Sequence, residues 1–554
     1  MPGENLLGAS RSGGSADLAN RPGLPAQSRE MLHSARRPRR RRSGARRRPR
    51  NRILRIALIG ATLLLVVATA GAGYVYYVTH DLNRVDVRGL NGTFKTGREA
   101  GTENILMVGS TSRCALAEQN PAYGLCSEGV NGVNSDVIMI LHADTTHHRL
   151  ALLSIPRDVF IPNARSAGAN KVDAGLVDGI SQVVAAIEED FGIPIQHAVS
   201  LNFDQFANIV DALGGIDMSF PMSVFDAESG LNVHAARCVH LNGTEALQVV
   251  RARHLKYDAP GTESTDAEYW PGEVLSDLAR IRRDHEFLRV LGAAVAKQSL
   301  GDPITDLNLV NSVKADLTFD QSWSVNDMAN LVLDFHSVNV NSVPQLTLPV
   351  ADVTDPEGQD GDLVYQRGNY GQVEFPAQSQ DQRAIDQVLG IGRTTDSMTG
   401  EPLPPPSSVT VSVLNGTGVG NQAADTASAL SALGFDTVGV GDATPVGDVV
   451  ETVVYYGSRS TKTEAAAEAV ARSMTGSVVM AYDPSRVADG AQVTVVTGTQ
   501  FAVNSAAAPA STPTTSTAAA TIASPSPPTS NLEPWDPRAC PAGVPPTAPE
   551  PNPT

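Results

Sequence analysis

The chain has 554 residues, of which 42% are hydrophobic and 18% charged, a composition typical of globular domains separated by linkers. It is long enough for two or three domains with buried cores, and its four cysteines are too few for a disulfide scaffold. The formal net charge of −17 is unevenly distributed, because residues 1–55 carry 15 Arg against 3 acidic residues and the remainder carries −29.

An arginine-rich run precedes a long apolar stretch near the amino terminus. The run ends at Arg55, and the 23 residues 56–78 that follow are predominantly apolar and long enough to cross a hydrocarbon core of about 30 Å. Arginine on this flank indicates the cytoplasmic side of a membrane. We therefore expect a basic cytoplasmic arm (1–55), one transmembrane helix (56–78), a connector (79–100) and an extracytoplasmic remainder, in a single-pass protein of the cell membrane.

Two other interpretations of the amino-terminal region stay open. Clustered guanidiniums neutralise phosphates in nucleic-acid-binding arms, and Ala68-Thr69-Ala70 resembles a signal-peptide cleavage site. A signal peptide would require a basic region of 55 residues, which is far beyond the usual length, and the apolar run continues past the cleavage site to Val78. An uncleaved anchor agrees better with this pattern, and no nucleic-acid partner is expected.

Residues 101–353 are predicted to form the first and larger domain. Apolar runs predict strands at residues 104–109, 136–142 and 149–155. Apolar residues at helical spacing predict helices at residues 181–191, 206–213 and 276–297. Because strands alternate with helices, we expect an α/β or α+β core.

Three further segments follow the first domain. Residues 354–407 are rich in Gly, Gln, Asp and Pro and are predicted to be mostly a linker. Residues 408–500 alternate strand and helix patterns and predict a smaller second α/β domain. Residues 501–554 are dominated by Ala, Pro, Ser and Thr, so we expect a disordered or wall-threading tail.

The cysteines predict one disulfide. Cys114 and Cys126 enclose a short loop, and an extracytoplasmic location permits a bridge between them. Their spacing does not suggest a zinc site, for which a CxxC motif is expected. Cys238 and Cys540 are expected to be unpaired.

Arginines stand where predicted elements of the first domain end. Arg157 and Asp158 follow an apolar strand, and an arginine in this position can bind phosphate. Arg251 and Arg253 lie two residues apart, so a strand at this place would send both guanidiniums to one face. A structural salt bridge at a turn and a solvated strand face are the plain alternatives.

The long predicted helix carries a third charged group. Asp277, Arg280 and Asp284 fall within a sector of roughly 60° on one helix face, which also fits a solvated side with ion pairs. Taken together, the arginines and acids suggest phosphate-handling chemistry, because phosphoryl transfer needs positive charge around the transferred group. Neither a nucleophile triad nor a Walker-type glycine loop accompanies them, so a nucleotide is not implied.

Ordered motifs make this part of the chain similar to the LytR-CpsA-Psr family over residues 104–300. The matching segments are, in order, 104–109, 134–136, 154–158, 170–174, 191–194, 211–215, 241–243, 250–253 and 277–283. Residues 411–417 (VSVLNGT) are similar to a carboxy-terminal domain often attached to this family. The resemblance implies a catalytic domain with a central mixed sheet flanked by helices.

The resemblance also implies an activity and roles for individual residues. It implies an enzyme that moves a glycopolymer with its phosphate from a polyprenyl-pyrophosphate carrier to a hydroxyl of peptidoglycan, usually with Mg²⁺. Asp136 matches a metal-binding acid, and Asp277 matches an acid that acts as a base or orients an arginine. The positions that match residues at or beside the pyrophosphate are Arg113, Arg157, Lys171, Arg251, Arg253 and Arg280, so Arg157, Asp277 and Arg280 are the expected catalytic residues.

The sequence departs from the family pattern at two places. Residues 109–113 (GSTSR) have hydroxyl side chains where an aspartate usually precedes the arginine, so one metal ligand is missing. Asp284 stands where glutamine is more frequent and adds a negative charge near Arg280. We therefore expect Mg²⁺ binding to depend on Asp136 and on the phosphates of the substrate.

Two other functions stay open on the sequence alone. The same pocket could hydrolyse the pyrophosphate link, since water in place of the sugar hydroxyl would require an identical donor site. A non-enzymatic envelope protein or membrane-bound regulator that uses the basic arm is the third hypothesis.

Overall fold

The structure is a computed structural model, and it describes residues 82–91, 101–112, 114, 126–128, 132–234, 237–273, 276–297, 317–335, 337–352, 362–365, 368–444, 451–504 and 532–547. The predicted cytoplasmic arm and transmembrane helix lie outside the described residues, and so does Arg113. Within the described ranges, no helix combines the length and the apolar character needed to span a membrane.

Strands and α-helices are numbered here in chain order. The first fourteen strands are β1 (Asn83–Val85), β2 (Thr102–Ser110), β3 (Ser135–Asp144), β4 (Arg149–Ser154), β5 (Phe160–Arg165), β6 (Gly168–Lys171), β7 (His197–Leu201), β8 (Ile216–Phe220), β9 (Val224–Asp226), β10 (Leu231–Val233), β11 (Arg237–Leu241), β12 (Lys256–Tyr257), β13 (Thr318–Asp320) and β14 (Gln345–Thr347). The remaining strands are β15 (Val350–Asp352), β16 (Val364–Tyr365), β17 (Gly368–Asn369), β18 (Glu374–Gln378), β19 (Thr410–Asn415), β20 (Asp436–Asp442), β21 (Thr452–Tyr456), β22 (Met474–Tyr482), β23 (Val493–Thr497), β24 (Phe501–Val503) and β25 (Arg538–Ala539). The helices are α1 (Ile180–Phe191), α2 (Phe203–Ala212), α3 (Gly243–Arg251), α4 (Ser276–Lys297), α5 (Val325–Phe335), α6 (Asp381–Leu389), α7 (Gln422–Ala432) and α8 (Thr461–Ala471).

A seven-stranded mixed sheet forms the centre of the first domain, in the order β1-β13-β7-β2-β3-β4-β14. β3 runs antiparallel to both β2 and β4, whereas β7 is parallel to β2. One face of β2, β3 and β4 is buried in the same cluster as α1, whose Val183, Val184 and Ile187 have no exposed surface. The predicted mixed α/β core is confirmed, and the helix predicted over residues 276–297 has those bounds in α4.

Strand directions in this sheet bring three chain segments to one edge. The end of β2, the start of β3 and the end of β4 are adjacent, because each neighbouring pair is antiparallel. Residues that follow β2, begin β3 and follow β4 are therefore neighbours in space. This edge carries the charged residues that the sequence indicated.

Helices α2 and α3 lie in close contact beside the sheet. Both begin with a capping box, in which Asn202 pairs with Gln205 and Asn242 pairs with Glu245. A Cβ atom at Gly243 would come within 2.1 Å of the carbonyl oxygen of Ala207, so only glycine permits this helix crossing. The apolar faces of these two helices border the cavity described below.

The second sheet contains residues from both the predicted linker and the predicted second domain. Its order is β15-β18-β22-β21-β23-β19-β20, with β24 beside β22. β18 and helix α6 lie within residues 354–407, so the described part of that segment is largely folded and the prediction of a mostly irregular linker is wrong there. Val453 and Val479 of this sheet belong to the same buried cluster as Leu106 and Ile140 of the central sheet.

The cysteine prediction is half right. Cys114 and Cys126 form the expected disulfide. The expectation that Cys238 and Cys540 are unpaired is wrong, because they form a second disulfide across a sequence separation of 302 residues. The carboxy-terminal segment around Cys540 is thereby tied to β11 of the first domain.

The described part of the carboxy-terminal tail is folded against the first domain, which contradicts the prediction of disorder for residues 532–547. Strand β25 pairs with β8, and Trp535 stacks on Tyr257 with ring centroids 3.9 Å apart. The indole nitrogen of Trp535 donates to Glu273 at 2.8 Å, and Asp536 is fully buried. We call residues 532–547 the carboxy-terminal clasp.

Candidate functional site

The candidate site lies at the edge of the central sheet where β3 begins and β4 ends. Asp136 is the second residue of β3, and Arg157 is in the turn that follows β4. Because these strand ends are adjacent, the guanidinium of Arg157 reaches Asp136 and donates a hydrogen bond from Nη1 to Oδ1. The pair joins two motifs that are 21 residues apart in sequence.

Asp158 is the carboxylate on which three cations converge. Its oxygens lie 2.8 Å from Nζ of Lys171 and 2.9 Å from Nη2 of Arg253, and Nε of Arg157 is at 3.4 Å. Lys171 ends the β5–β6 hairpin, and Arg253 follows helix α3. The sequence placed Asp158 in a motif beside Arg157 but gave it no role of its own.

Helix α4 supplies the buried side of the site. Nη2 of Arg280 lies 3.1 Å from Asp277 Oδ1 and donates to the backbone oxygen of Asp136 at 2.6 Å, while its Nε is 3.7 Å from Asp284. Asp277 Oδ1 is also 3.4 Å from Nε of Arg253. The three residues share one helix face, as their spacing predicted. That face is buried within the site, so the alternative of a solvated helix side is wrong.

Arg251 and Arg253 do not lie on a strand, so their guanidiniums are not placed on one strand face. Arg251 is the last residue of helix α3, and Arg253 lies beyond its carboxy-terminal end. The Asn242 capping box starts this helix, so the β-branched residues 249–250 lie in a helix despite their preference for strands. The two guanidiniums consequently diverge: Arg253 joins Asp158 and Asp277, whereas Arg251 lies over the ring of Phe203 at 4.7 Å.

The charges of the site shift several pKa values. Burial by itself would raise the pKa of Asp136, but the guanidiniums of Arg280 and Arg157 outweigh burial and lower it below the usual range. The pKa of Asp158 is lowered in the same way, with burial opposed by Arg157, Lys171 and Arg253. Both groups are therefore carboxylates at neutral pH.

Burial dominates at two other acids near the cations. It raises the pKa of Asp284 to about 8, although Arg280 and Arg283 oppose it. It raises the pKa of Asp173 to about 6 against the field of Arg157. Asp284 thus holds its proton at pH 7 for most of the time, and the cations of the site keep an excess of positive charge.

An apolar cavity of about 190 Å³ adjoins the charged residues. Its apolar lining consists of Met107, Val137, Met139, Leu201, Phe203, Phe206, Ile209, Val210, Leu247, Val250, Phe287, Leu288 and Leu291. Asp136, Arg251 and Asp284 are among its few charged lining residues. This cavity could not be predicted from the sequence, because the helix faces that line it have the same apolar periodicity as faces that pack into a core.

The chemistry of the acids allows a limited metal site. Among the described residues, no group of three or more His, Cys, Asp or Glu side chains is arranged to hold a metal ion. The ion pairs of Asp136 with Arg157 and Arg280 both use Oδ1. The described residues therefore fit a site to which the protein would contribute one carboxylate and in which water or ligand oxygens would complete the coordination of a Mg²⁺ ion, and they do not fit an all-protein cage.

Curated relatives match the part of the chain that contains this site. The chain is similar to the probable cell wall biosynthesis protein LcpB of Corynebacterium glutamicum, with 30% identity over 296 residues that span 52% of this chain and 64% of the relative. It is 24% identical to the cell wall biosynthesis protein LcpA of the same organism, over 70% of this chain and 76% of the relative. A polyisoprenyl-teichoic acid–peptidoglycan teichoic acid transferase TagU of Bacillus mycoides is 28% identical over 36% of this chain and 61% of the relative.

Solved structures and family models also match parts of the chain. A LytR-Csp2A-Psr enzyme from Actinomyces oris matches with a TM-score of 0.41 and 21% identity, over 55% of this chain and 95% of that one. TagV of B. subtilis matches with a TM-score of 0.37 and 19% identity, over 52% of this chain and 95% of that one. Residues 408–501 match the model described as LytR cell envelope-related transcriptional attenuator. Residues 78–374, more than half of the chain, match the LytR_cpsA_psr family model, and the chain therefore belongs to the LytR-CpsA-Psr family.

Proposed function

We propose that this protein is a membrane-anchored phosphotransferase of cell wall assembly, which attaches a polyprenyl-pyrophosphate-linked glycopolymer to peptidoglycan. The observation that carries the proposal is the junction between the apolar cavity and the charged site. Asp136 belongs to both, and Arg251 lines the cavity while Arg157 and Arg280 contact Asp136. A donor with an apolar chain and an anionic headgroup would fit this junction, with the chain in the cavity and the headgroup at the charged site.

The two parts of the donor have different requirements. A polyprenyl chain gains free energy by burying its methyl and methylene groups, at about 25 cal/mol per Å² of apolar surface, and the phenylalanine and leucine side chains of the cavity offer such a surface. A pyrophosphate needs cations and hydrogen-bond donors, which Arg157, Lys171, Arg253 and Arg280 provide. The names of the relatives LcpB and TagU, a cell wall biosynthesis protein and a teichoic acid transferase, support the same function.

The proposed reaction is a single phosphoryl transfer. The hydroxyl oxygen of the acceptor forms a bond to the phosphorus next to the polymer, and the bond from that phosphorus to the bridging oxygen breaks. Polyprenyl monophosphate leaves with the bridging oxygen, and the hydroxyl proton is released. In the loose transition state of such transfers, negative charge grows on the leaving group, so we assign its neutralisation to Arg157 and Arg280.

Asp277 is assigned the positioning of arginines. Its Oδ1 lies within 3.4 Å of Nε of Arg253 and 3.1 Å of Nη2 of Arg280, so one carboxylate fixes two guanidiniums. These contacts favour orientation over the role of a general base, since a base must be within reach of the attacking hydroxyl. We further propose Asp136, through Oδ2, as the protein ligand of Mg²⁺, which would supply additional charge neutralisation for the phosphates.

The proposed transmembrane segment would give the site access to its donor. An anchor over residues 56–78 with a connector to residue 100 would hold the charged site near the outer leaflet, where it would raise the effective concentration of a lipid-linked substrate. The bulk of the chain would then be extracytoplasmic. Peptidoglycan is the proposed acceptor.

The experiment is a transfer assay with the full-length protein in detergent, a polyprenyl-pyrophosphate-linked oligosaccharide and peptidoglycan. We expect Arg157→Ala and Arg253→Ala to lower the transfer rate by roughly 10²- to 10³-fold, the effect of removing one donor of a preorganised anion-binding site. Arg165→Ala is the matched control, because Arg165, on the β5–β6 hairpin, pairs with Asp178 of the following 3-10 helix and lies outside the charged site.

Product analysis separates transfer from the alternatives. Polymer bound to peptidoglycan supports transfer, whereas free polymer phosphate in the presence of peptidoglycan would identify a hydrolase. Full activity in either arginine variant would refute the assigned site. A phenotype that follows deletion of residues 1–50, but not of the pocket arginines, would favour the regulator hypothesis.

A further inference from the structure

A second cavity of about 310 Å³ lies between the first and second domains, and its lining does not include the residues of the charged site. The β5–β6 hairpin forms one wall together with Leu363, Tyr365, Tyr370 and Phe375, and strands β21 and β23 with Asp483 and Arg486 form the other. Its volume is within the range of roughly 300 to 1,000 Å³ for small-molecule sites. We call it the interdomain cleft.

Aromatic side chains form much of this cleft. Tyr365 and Tyr370 pack edge-on against Phe160, with ring centroids at 5.6 and 5.1 Å, and both tyrosines are partly exposed. Tyr455 contributes from the second domain, where it is almost fully buried. Tyrosine rings present an apolar body together with a hydroxyl, so this lining suits a ligand with both apolar C–H faces and hydroxyl groups.

A buried carboxyl supplies an independent indication of a ligand. Glu451 is 5% exposed and lines the cleft, and within the described part of the chain its Oε1 has no hydrogen-bond partner. Burial, reinforced by the nearby Asp190 and Asp381, raises the pKa of Glu451 well above its ordinary value. A buried polar atom that lacks a partner is unfavourable, and the hydroxyl of a bound ligand would satisfy it.

The charge of the cleft selects against ionic ligands. Nε of Arg486 lies 3.4 Å from Asp483, so this partly exposed cation is compensated by a neighbouring anion. The guanidinium also lies over the ring of Tyr455 at 5.3 Å. Among the described lining residues, the remaining charged group is Glu451, whose pKa burial raises well above its ordinary value, and these residues include no cluster of cations for a phosphate.

We propose that the interdomain cleft is a saccharide-binding site, in which the tyrosine rings contact the C–H face of a pyranose and Glu451 hydrogen-bonds to one of its hydroxyls. The assignment of that sugar to a glycan strand of the reaction rests on the proposed function, whereas the saccharide class rests on the lining alone.

The cleft is connected to the charged site through the β5–β6 hairpin. Phe160, in the wall of the cleft, is directly opposite Lys171 in the hairpin register, and Lys171 contacts Asp158 in the charged site. Residues directly opposite in an antiparallel pair have side chains on the same face. A glycan held in the cleft would therefore lie beside the element that carries one of the cations proposed to bind pyrophosphate.

Calorimetric titration of the full-length protein in detergent tests the proposal with two neutral probes, chitotetraose and maltotetraose. Ala167 is exposed at the tip of the hairpin and lines the cleft, so Ala167→Trp should fill it without disturbing the core and should abolish binding. Tyr365→Ala should weaken binding roughly tenfold or more. Tyr269→Ala, at a tyrosine that is 75% exposed and outside the cleft, should bind like the wild type.

The two probes distinguish the source of the sugar. Preference for chitotetraose indicates an N-acetylated wall glycan, and preference for maltotetraose indicates plain hexoses of the polymer. Absence of binding by both probes at millimolar concentration, or unchanged binding in Ala167→Trp with an unchanged melting temperature, overturns the proposal. Donor binding is measured in parallel, because its loss in Arg157→Ala concerns the proposed function and not the cleft.

Discussion

The two disulfides allow a quantitative test of how the carboxy-terminal clasp supports the site. Cys114–Cys126 closes a loop with a sequence separation of 12, whereas Cys238–Cys540 closes one of 302. The perturbation is the paired replacement Cys238→Ser with Cys540→Ser, and Cys114→Ser with Cys126→Ser is the matched control. Both remove one bridge and differ mainly in the length of chain that is released.

Loop-closure entropy gives the magnitude. The entropy that a crosslink removes from the unfolded chain corresponds to about 3 kcal/mol at 25 °C for the short loop and to about 6 kcal/mol for the long one. The second value is an upper limit, because the clasp can undock from the folded domain once its bridge is absent. Undocking would sacrifice the stacking of Trp535 on Tyr257 and the pairing of β25 with β8.

The clasp also contacts the helix that carries the catalytic candidates. Asp536 accepts a hydrogen bond from Nε of Arg282 at 2.5 Å and lies 3.6 Å from Arg283, which is fully buried and bound to Glu273 at 2.6 Å. Arg282 and Arg283 follow Arg280 on α4. Loss of the clasp should therefore lower the free energy of unfolding and also the transfer rate, whereas loss of the short bridge should affect stability less.

The assay combines chemical unfolding of the oxidised variants with the transfer measurement. Asp536→Asn with both disulfides intact isolates the contribution of the carboxylate, since breaking a buried ion pair costs about 3–5 kcal/mol. If the Cys238/Cys540 variant is no less stable than the Cys114/Cys126 variant, the loop-length argument is refuted. If its transfer rate equals that of the wild type, the clasp does not support α4.

Two further predictions concern protons. Burial raises the pKa values of Glu188 to about 8, Asp381 to about 7 and Glu468 to about 8. The folded state therefore binds more protons than the unfolded state between about pH 4 and 8, and the melting temperature should fall as the pH rises through this range. Glu468→Gln should make this fall less steep, and a melting temperature that rises with pH in the wild type would contradict the prediction. The free energy of unfolding of Asp284→Gln should exceed that of the wild type by an amount that grows up to about pH 8 and is constant above it, because the buried carboxyl of the wild type is fully charged only above its pKa. Melting curves at three pH values test this.

Much of the charged site could be predicted because its signals are local. Arg157 follows an apolar strand directly, and the face shared by Asp277, Arg280 and Asp284 follows from helical geometry alone. The helix bounds 276–297 could be read from apolar spacing. These motifs are brought together by the antiparallel pairing of β2, β3 and β4. Apolar runs in the sequence predict that the strands exist but only partly predict how they pair.

The errors arose where tertiary contacts decide the outcome. Cys238 and Cys540 are 302 residues apart, so nothing in their local sequence indicates the pairing. The strand considered at Arg251 and Arg253 would have suited the two valines before them, but Asn242 and Glu245 carry a capping box that predicts a helix. That signal was present in the sequence and outweighs the propensity of two valines.

The departures from the family pattern acquire a physical meaning from burial. Thr111 accepts a hydrogen bond from Asn134 N at 3.1 Å and donates to the oxygen of the same residue, so its hydroxyl joins the segment after β2 to the segment before β3, at the place where the family resemblance implies an acid. Mg²⁺ binding that depends on Asp136 stays a prediction. Burial raises the pKa of Asp284 to about 8, so this residue is mostly protonated near pH 7. A protonated carboxyl, like an amide, is neutral and offers both a donor and an acceptor, so Asp284 adds little negative charge beside Arg280, as the glutamine implied by the family resemblance would.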